Sequence, residues 1–199
     1  MTSVMSPGTA LLVIDVQECG RQPYDEAGIA MMTGYDERVA RIAGLVDAFR
    51  AQRLPVIWSQ EVHRPDLADI GRELDGSEGV HCVQGVAGTE IVAELRPRPD
   101  EHFIQKRRYS VFFGTDLEII LRGMGITTLV LVGGLTDVCV HYTFVDGHQR
   151  DYFVRVVTDC VGGSSTTAHD AALTAMRYLQ RDAWVTSSEL VGRSLSAAS

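Results

Sequence analysis

The chain has 199 residues, 26 acidic against 18 basic side chains for a net charge of −8, and 45 % apolar composition, which together read as one acidic globular domain spanning 1–199 with enough chain to bury a core unaided. No stretch reaches the roughly 18 apolar residues of a membrane span, and the start, 1–8, lacks a basic and then apolar leader, so a cytoplasmic protein is expected. The one short basic cluster is Lys106-Arg107-Arg108, which argues against nucleic acid or membrane as partner and for a small molecule.

Apolar runs and their punctuation give an alternation of strands and helices. Thr9–Asp15 reads as a strand, 35–52 as a helix and 54–59 as a second strand, one β-α-β unit. An irregular stretch, 60–87, follows, then a short helix over 89–95, a strand over 102–105 and a helix over 115–123 closed by glycine. Thr127–Gly133 is the strongest strand, followed by a helix over 137–150, a strand over 153–158, a helix over 167–179 and a last strand over 183–186. The tail 192–199 is small and polar, suited to fraying or to a subunit contact. Strands that are apolar throughout require cover on both faces, which predicts a three-layer, doubly wound (Rossmann-like) α/β fold with a mostly parallel six-stranded sheet and the ligand site beyond the strands' carboxyl ends.

Four cysteines stand at 19, 82, 139 and 160 without a C-x-x-C pair, so neither a zinc ribbon nor a redox dithiol is indicated and thiols are expected. Cys19, Cys82 and Cys160 read as small buried hydrophobes. Cys139 differs, because Gly133-Gly-Leu-Thr-Asp-Val-Cys139 joins the strongest strand to a helix, where backbone amides favour thiolate and Thr136 and Asp137 suit the N-cap. Asp15 closes the first strand, where a buried charge needs a partner, and Lys106 follows the strand at 102–105. A thiol, a lysine cation and a carboxylate able to carry the thiol's proton form a working nucleophilic set.

Leu11-Leu-Val-Ile-Asp15-Val-Gln17, then Lys106 with Tyr109-Ser-Val-Phe112 and Thr115, then Val132-Gly-Gly-Leu-Thr136-Asp-Val-Cys139-Val140 and Thr143, resemble the isochorismatase-like cysteine hydrolase family over about residues 9–186. The resemblance implies Asp15 as general base, Cys139 as nucleophile and Lys106 as the stabilising cation. It further implies a cis peptide between Gly134 and Leu135, an oxyanion hole from the backbone N–H groups of Leu135 and Cys139, and a homodimer or homotetramer. The activity it implies is hydrolysis of a C–N bond in a small amide, a ureido or carbamoyl compound, or a lactam through a thioester.

Members that cleave a vinyl ether typically lack the cysteine, so Cys139 favours amide hydrolysis. The nicotinamidase branch carries a metal on an Asp-x-His pair and a further His. Here Gln60-Glu61-Val-His63-Arg-Pro-Asp66-Leu-Ala-Asp69 has Glu first and no second His nearby, so no metal and no cofactor is expected, with Asp66 or Asp69 as the carboxylate if an ion does bind. His63-Arg-Pro-Asp66, Cys82-Val-Gln-Gly85 and Gly163-Ser-Ser lean toward the carbamoylsarcosine, ureido and biuret amidase side. His63, Phe112 and Tyr142 are the candidate pocket residues. The competing readings are a metal-dependent nicotinamidase, a vinyl-ether hydrolase, a non-catalytic metabolite-binding homologue and a redox sensor acting through Cys139.

Overall fold

A computed structural model describes residues 5–196, of which 193–196 only in backbone. Six strands, β1 (Thr9–Ile14), β2 (Val56–Glu61), β3 (His102–Lys106), β4 (Thr128–Gly134), β5 (Phe153–Gly162) and β6 (Trp184–Val185), form one sheet in the order β3-β2-β1-β4-β5-β6. Every pairing is parallel, so the sheet is parallel throughout rather than mostly so. The central strands β1 and β4 are apolar along almost their whole length because both faces are covered. Leu11 and Val13 of β1 pack with Val39, Ile42, Leu45, Val46 and Phe49 of helix α2 (Tyr35–Ala51) and Leu190 of α6 (Ser187–Ser196). Ala10, Leu12 and Ile14 turn the other way, toward Leu117 and Leu121 of α3 (Leu117–Gly123), Phe144 of α4 (His141–Gln149) and Met176 of α5 (Thr166–Leu179).

The chain steps outward from β1 to β2 and β3, then returns to the far side of β1 for β4, β5 and β6. The reversal lies between β1 and β4, and a crevice opens there beyond the carboxyl ends of the strands. Gly133 permits the close approach of these two strands: its φ is +107°, and a Cβ there would stand 2.0 Å from the Ile14 carbonyl oxygen.

Several elements differ from the sequence reading. The helix expected over 89–95 is two single turns, Ala87–Thr89 and Ala93–Leu95. Gln17 and Gln60 each donate an amide to the Thr89 carbonyl at 2.8 Å, and Gln17 bridges Ile91, which holds the chain between the turns extended. Strand β5 runs on to Gly162, past the charge at Asp159, because the Asp159 carboxylate accepts from the Ser187 amide at 2.8 Å and hydroxyl at 2.5 Å. A short helix α1 (Tyr24–Ala27) was not foreseen, and α6 takes in part of the expected tail, whose last residues, 197–199, lie outside the described ones. The helix after β4 opens with one wide turn of π type, Thr136–Val140, before α4. Asp137 is not its cap: its carboxylate accepts from the Ser164 amide at 2.8 Å and hydroxyl at 2.5 Å, while Thr136 Oγ1 meets His169 Nδ1 at 2.9 Å. Both residues therefore tie the wide turn to the start of α5.

Candidate active site

Four strand ends deliver four charged or nucleophilic side chains to one point. Asp15 follows β1, Glu61 ends β2, Lys106 ends β3 and Cys139 lies in the turn after β4. Glu61 and Lys106 are register partners in adjacent parallel strands, so their side chains leave the sheet together. Lys106 Nζ lies 2.7 Å from Asp15 Oδ2, 2.6 Å from Glu61 Oε2 and 3.4 Å from Cys139 Sγ, with the lysine side chain fully buried. Cys139 Sγ is 3.5 Å from Glu61 Oε2, and Ser59 Oγ donates to Asp15 Oδ1 at 2.8 Å. Gln17 fixes Glu61 from behind, accepting from its amide at 2.9 Å and donating to its carbonyl at 3.0 Å. The peptide between Gly134 and Leu135 is cis, and Leu135 and Cys139 share one wall of the crevice.

Burial and charge then set the resting protonation states. Burial pushes the Asp15 carboxyl up, and Glu61 adds to this while Lys106 opposes it, leaving Asp15 above the usual carboxylate range. Glu61 is equally buried, but Lys106 and the imidazoles of His63 and His81 outweigh burial and hold it well below that range. Burial opposes the charge on Lys106, yet Asp15, Cys139 and Glu61 keep it firmly cationic. The Cys139 thiol is pushed well up by burial, with Lys106 pulling down and Asp15 and Glu61 pushing up. Burial and the two carboxylates outweigh Lys106, so Cys139 rests as a thiol, in keeping with a carboxylate that takes its proton. Asp15 is the more basic of the two carboxylates within reach of that thiol.

Behind Glu61 lies a second polar layer that the sequence reading missed. His81 Nε2 is 2.9 Å from Glu61 Oε1, and His63 Nε2 is 3.4 Å from the same oxygen and 3.1 Å from Glu73 Oε2. One ligand atom from each of Glu61, His63, Glu73 and His81 lies within 4.8 Å of the others, and all four residues are buried. Neither Glu73 oxygen has an aligned hydrogen-bond donor, nor has His63 Nδ1, so this is a donor set with unspent capacity that fits a divalent cation. Of the carboxylates proposed from spacing, Asp66 pairs with Arg64 at the surface at 2.9 Å, while Asp69 pairs with Arg107 at 2.7 Å and reaches His63 Nδ1 only at 3.8 Å, outside the set of four. The second histidine is His81, eighteen positions after His63 in an irregular segment with no periodic signal to reveal it.

The crevice beside Cys139 is a cavity of about 50 Å³, lined among others by Asp15, Glu61, Glu78, His81, Tyr109 and Leu135. The three pocket residues expected from sequence do not line it. His63 is wholly buried behind Glu61 because its Nε2 is drawn to Glu61 and Glu73. Phe112 packs into the core against Tyr152, with ring centroids 5.9 Å apart. Tyr142 is exposed and stacks outside on Tyr109, which takes the wall position. Cys19 and Cys82 also line the cavity, and all four cysteines are free thiols. No described helix is long and apolar enough to cross a membrane.

Residues 9–189 match the family model described as the Isochorismatase domain, and the chain belongs to that family. It is 35 % identical to "Ureidoacrylate amidohydrolase RutB" of Methylobacterium radiotolerans over 187 residues, covering 83 % of this chain and 71 % of that one. Its fold superposes on an isochorismatase family protein from Desulfovibrio vulgaris with a TM-score of 0.81 at 32 % identity, covering 96 % of this chain and all of the other. It also superposes on N-carbamoylsarcosine amidase from Thermoplasma acidophilum with a TM-score of 0.72 at 29 % identity, covering 90 % and 96 %. The class is therefore a hydrolase acting on carbon–nitrogen bonds other than peptide bonds.

Proposed function

We propose that the protein is a cysteine amidohydrolase that cleaves a C–N bond of a small amide, a ureido or carbamoyl compound, or a lactam through a thioester on Cys139. The observation that carries this reading is the Lys106 ammonium 3.4 Å from the Cys139 sulfur and 2.7 Å from Asp15, at the switch point of the sheet.

Asp15, the more basic carboxylate, takes the thiol proton as sulfur attacks the substrate carbonyl. Lys106 remains charged and neutralises the thiolate as it forms. The backbone N–H groups of Leu135 and Cys139 receive the oxyanion, a contribution of roughly 3–4 kcal/mol per donor in comparable sites. Protonated Asp15 then passes its proton to the leaving nitrogen, ammonia or an amine departs, and water activated by Asp15 releases the acid. This sequence uses only the chain's own groups. Two or four copies assemble on this reading, which light scattering checks.

A metal-loaded form is the second reading, favoured by the unspent donors of Glu73 and His63. Glu61, His63, Glu73 and His81 would hold the ion, and when bound it would supply Lewis acidity at the edge of the pocket. The test is ammonia release from a panel of carbamoyl, ureido, nicotinamide and maleamate compounds, with ring opening of a lactam read by mass. Release abolished by Cys139→Ala and indifferent to EDTA supports the metal-free path. Loss on EDTA treatment, restored by added zinc, selects the second reading, and full activity of Cys139→Ala overturns both.

A further inference from the structure

The charge of the cavity beside Cys139 restricts what enters it. Three carboxylates line it, those of Asp15, Glu61 and Glu78. Lys106 is held between the first two, at 2.7 and 2.6 Å. His81 has both ring nitrogens engaged, Nε2 with Glu61 Oε1 at 2.9 Å and Nδ1 with the Gly79 carbonyl at 2.7 Å. Neither cation is free for a ligand, and no arginine is among the described residues lining the cavity. The neighbouring guanidiniums are committed elsewhere, Arg107 to the Asp69 carboxylate and Arg108 to the carbonyls of Asp69 and Arg107.

Glu78 is the carboxylate of the three without a cation. Its one protein donor among the described residues is the Tyr109 hydroxyl, 3.1 Å from Oε2. Burial pushes this carboxyl up, the mark of a group short of partners. A half-buried acceptor of this kind, facing a cavity, gains from a ligand that brings N–H groups and loses from one that brings a second negative charge. Glu78 and Cys139 line the same cavity, so a ligand that fills it meets both.

We infer that Glu78 determines specificity at this site, accepting hydrogen bonds from a substrate whose cavity-bound part is neutral or cationic and rich in N–H donors, and turning away substrates that present a carboxylate there. The inference rests on the reading of Cys139 as the nucleophile and narrows its substrate class to neutral or cationic ureas and amides.

Iodoacetamide and iodoacetate test it, being nearly the same size and differing in charge. Each alkylates the Cys139 sulfur with loss of iodide, and the rate at Cys139 is read from the mass of its peptide. The ratio of the two rates, amide over acid, is expected to exceed that of a small free thiol by tenfold or more. Glu78→Gln lowers the ratio several-fold, and Glu78→Lys brings it to or below the free-thiol value. A wild-type ratio equal to that of the free thiol, or one untouched by Glu78→Gln, overturns the inference.

A turnover arm separates the two levels of the argument, pairing a ureido acid with its own primary amide. Preference for the acid, unchanged by Glu78→Gln, overturns the inference and leaves the amidohydrolase reading intact. Absence of turnover from the whole panel, with the alkylation ratios as expected, overturns that reading and leaves the selectivity of Glu78 standing.

Discussion

Glu61 and Lys106, register partners at the ends of adjacent strands, meet at 2.6 Å, so the lysine cation at the nucleophile is shared between two carboxylates rather than paired with Asp15 alone. Removing the cation should damage stability and rate together. Lys106→Met leaves two buried carboxylates facing each other and is expected to cost about 3–5 kcal/mol of stability. It should also lower kcat/KM by about 10²–10³-fold. Chemical denaturation and steady-state kinetics on the same preparation check both.

Glu61 raises the affinity of both Asp15 and Cys139 for protons, so neutralising it acts on both in one direction. Glu61→Gln should move the acid limb of the kcat/KM profile to lower pH, because Asp15 then loses its proton more readily. Alkylation of Cys139 at a fixed pH should become faster for the same reason. An acid limb moving upward would contradict the arrangement.

The ligand set of Glu61, His63, Glu73 and His81 makes a separable prediction. Cobalt(II) added to metal-free protein should give the visible absorption of a low-symmetry site, and Glu73→Ala should weaken binding by about 10–100-fold. Titration followed by absorbance reads this without reference to activity. A spectrum unchanged from aqueous cobalt would leave the four residues as a hydrogen-bonded buttress of Glu61.

Glu101 stabilises the edge of the sheet just ahead of β3. Its carboxylate is bidentate to Arg50 at 2.7 and 2.9 Å and accepts from Trp58 Nε1 and the Arg98 amide, each at 2.8 Å. Burial works against its charge, but Arg50 and these donors hold it below the ordinary value of 4.5. A depressed folded pKa means that its contribution is present above pH 4.5 and is lost as pH falls through the folded value. Glu101→Gln should cost about 2 kcal/mol near neutral pH, and the difference from wild type should shrink toward acid. Melting curves across that range decide it.

Much of the site was legible because its parts stand at strand ends that the sequence marks clearly. Asp15 interrupts an apolar run, and Cys139 follows a glycine pair after the most hydrophobic strand. Family order then supplied Lys106, whose neighbours Arg107 and Arg108 disguise it as surface. The second layer was not legible. Glu73, Glu78 and His81 come from the irregular stretch between β2 and β3, where no period of 2 or 3.6 tells which side chains turn inward. Phe112 and Tyr142 were misplaced because a turn, not a strand or helix, aims Tyr109 rather than either of them at the cavity. Glu61 was read only as a metal ligand. Its extension toward Lys106 depends on the register of β2 against β3, which emerges only once the strands pair.

The central claim is a covalent acyl group on Cys139. Quenching the enzyme in the steady state with its best substrate and digesting it should give a Cys139 peptide heavier by the acyl group. The same reaction in hydroxylamine should yield the acyl hydroxamate in place of the acid. An unmodified Cys139 peptide during rapid turnover, together with activity retained by Cys139→Ala, would contradict the account.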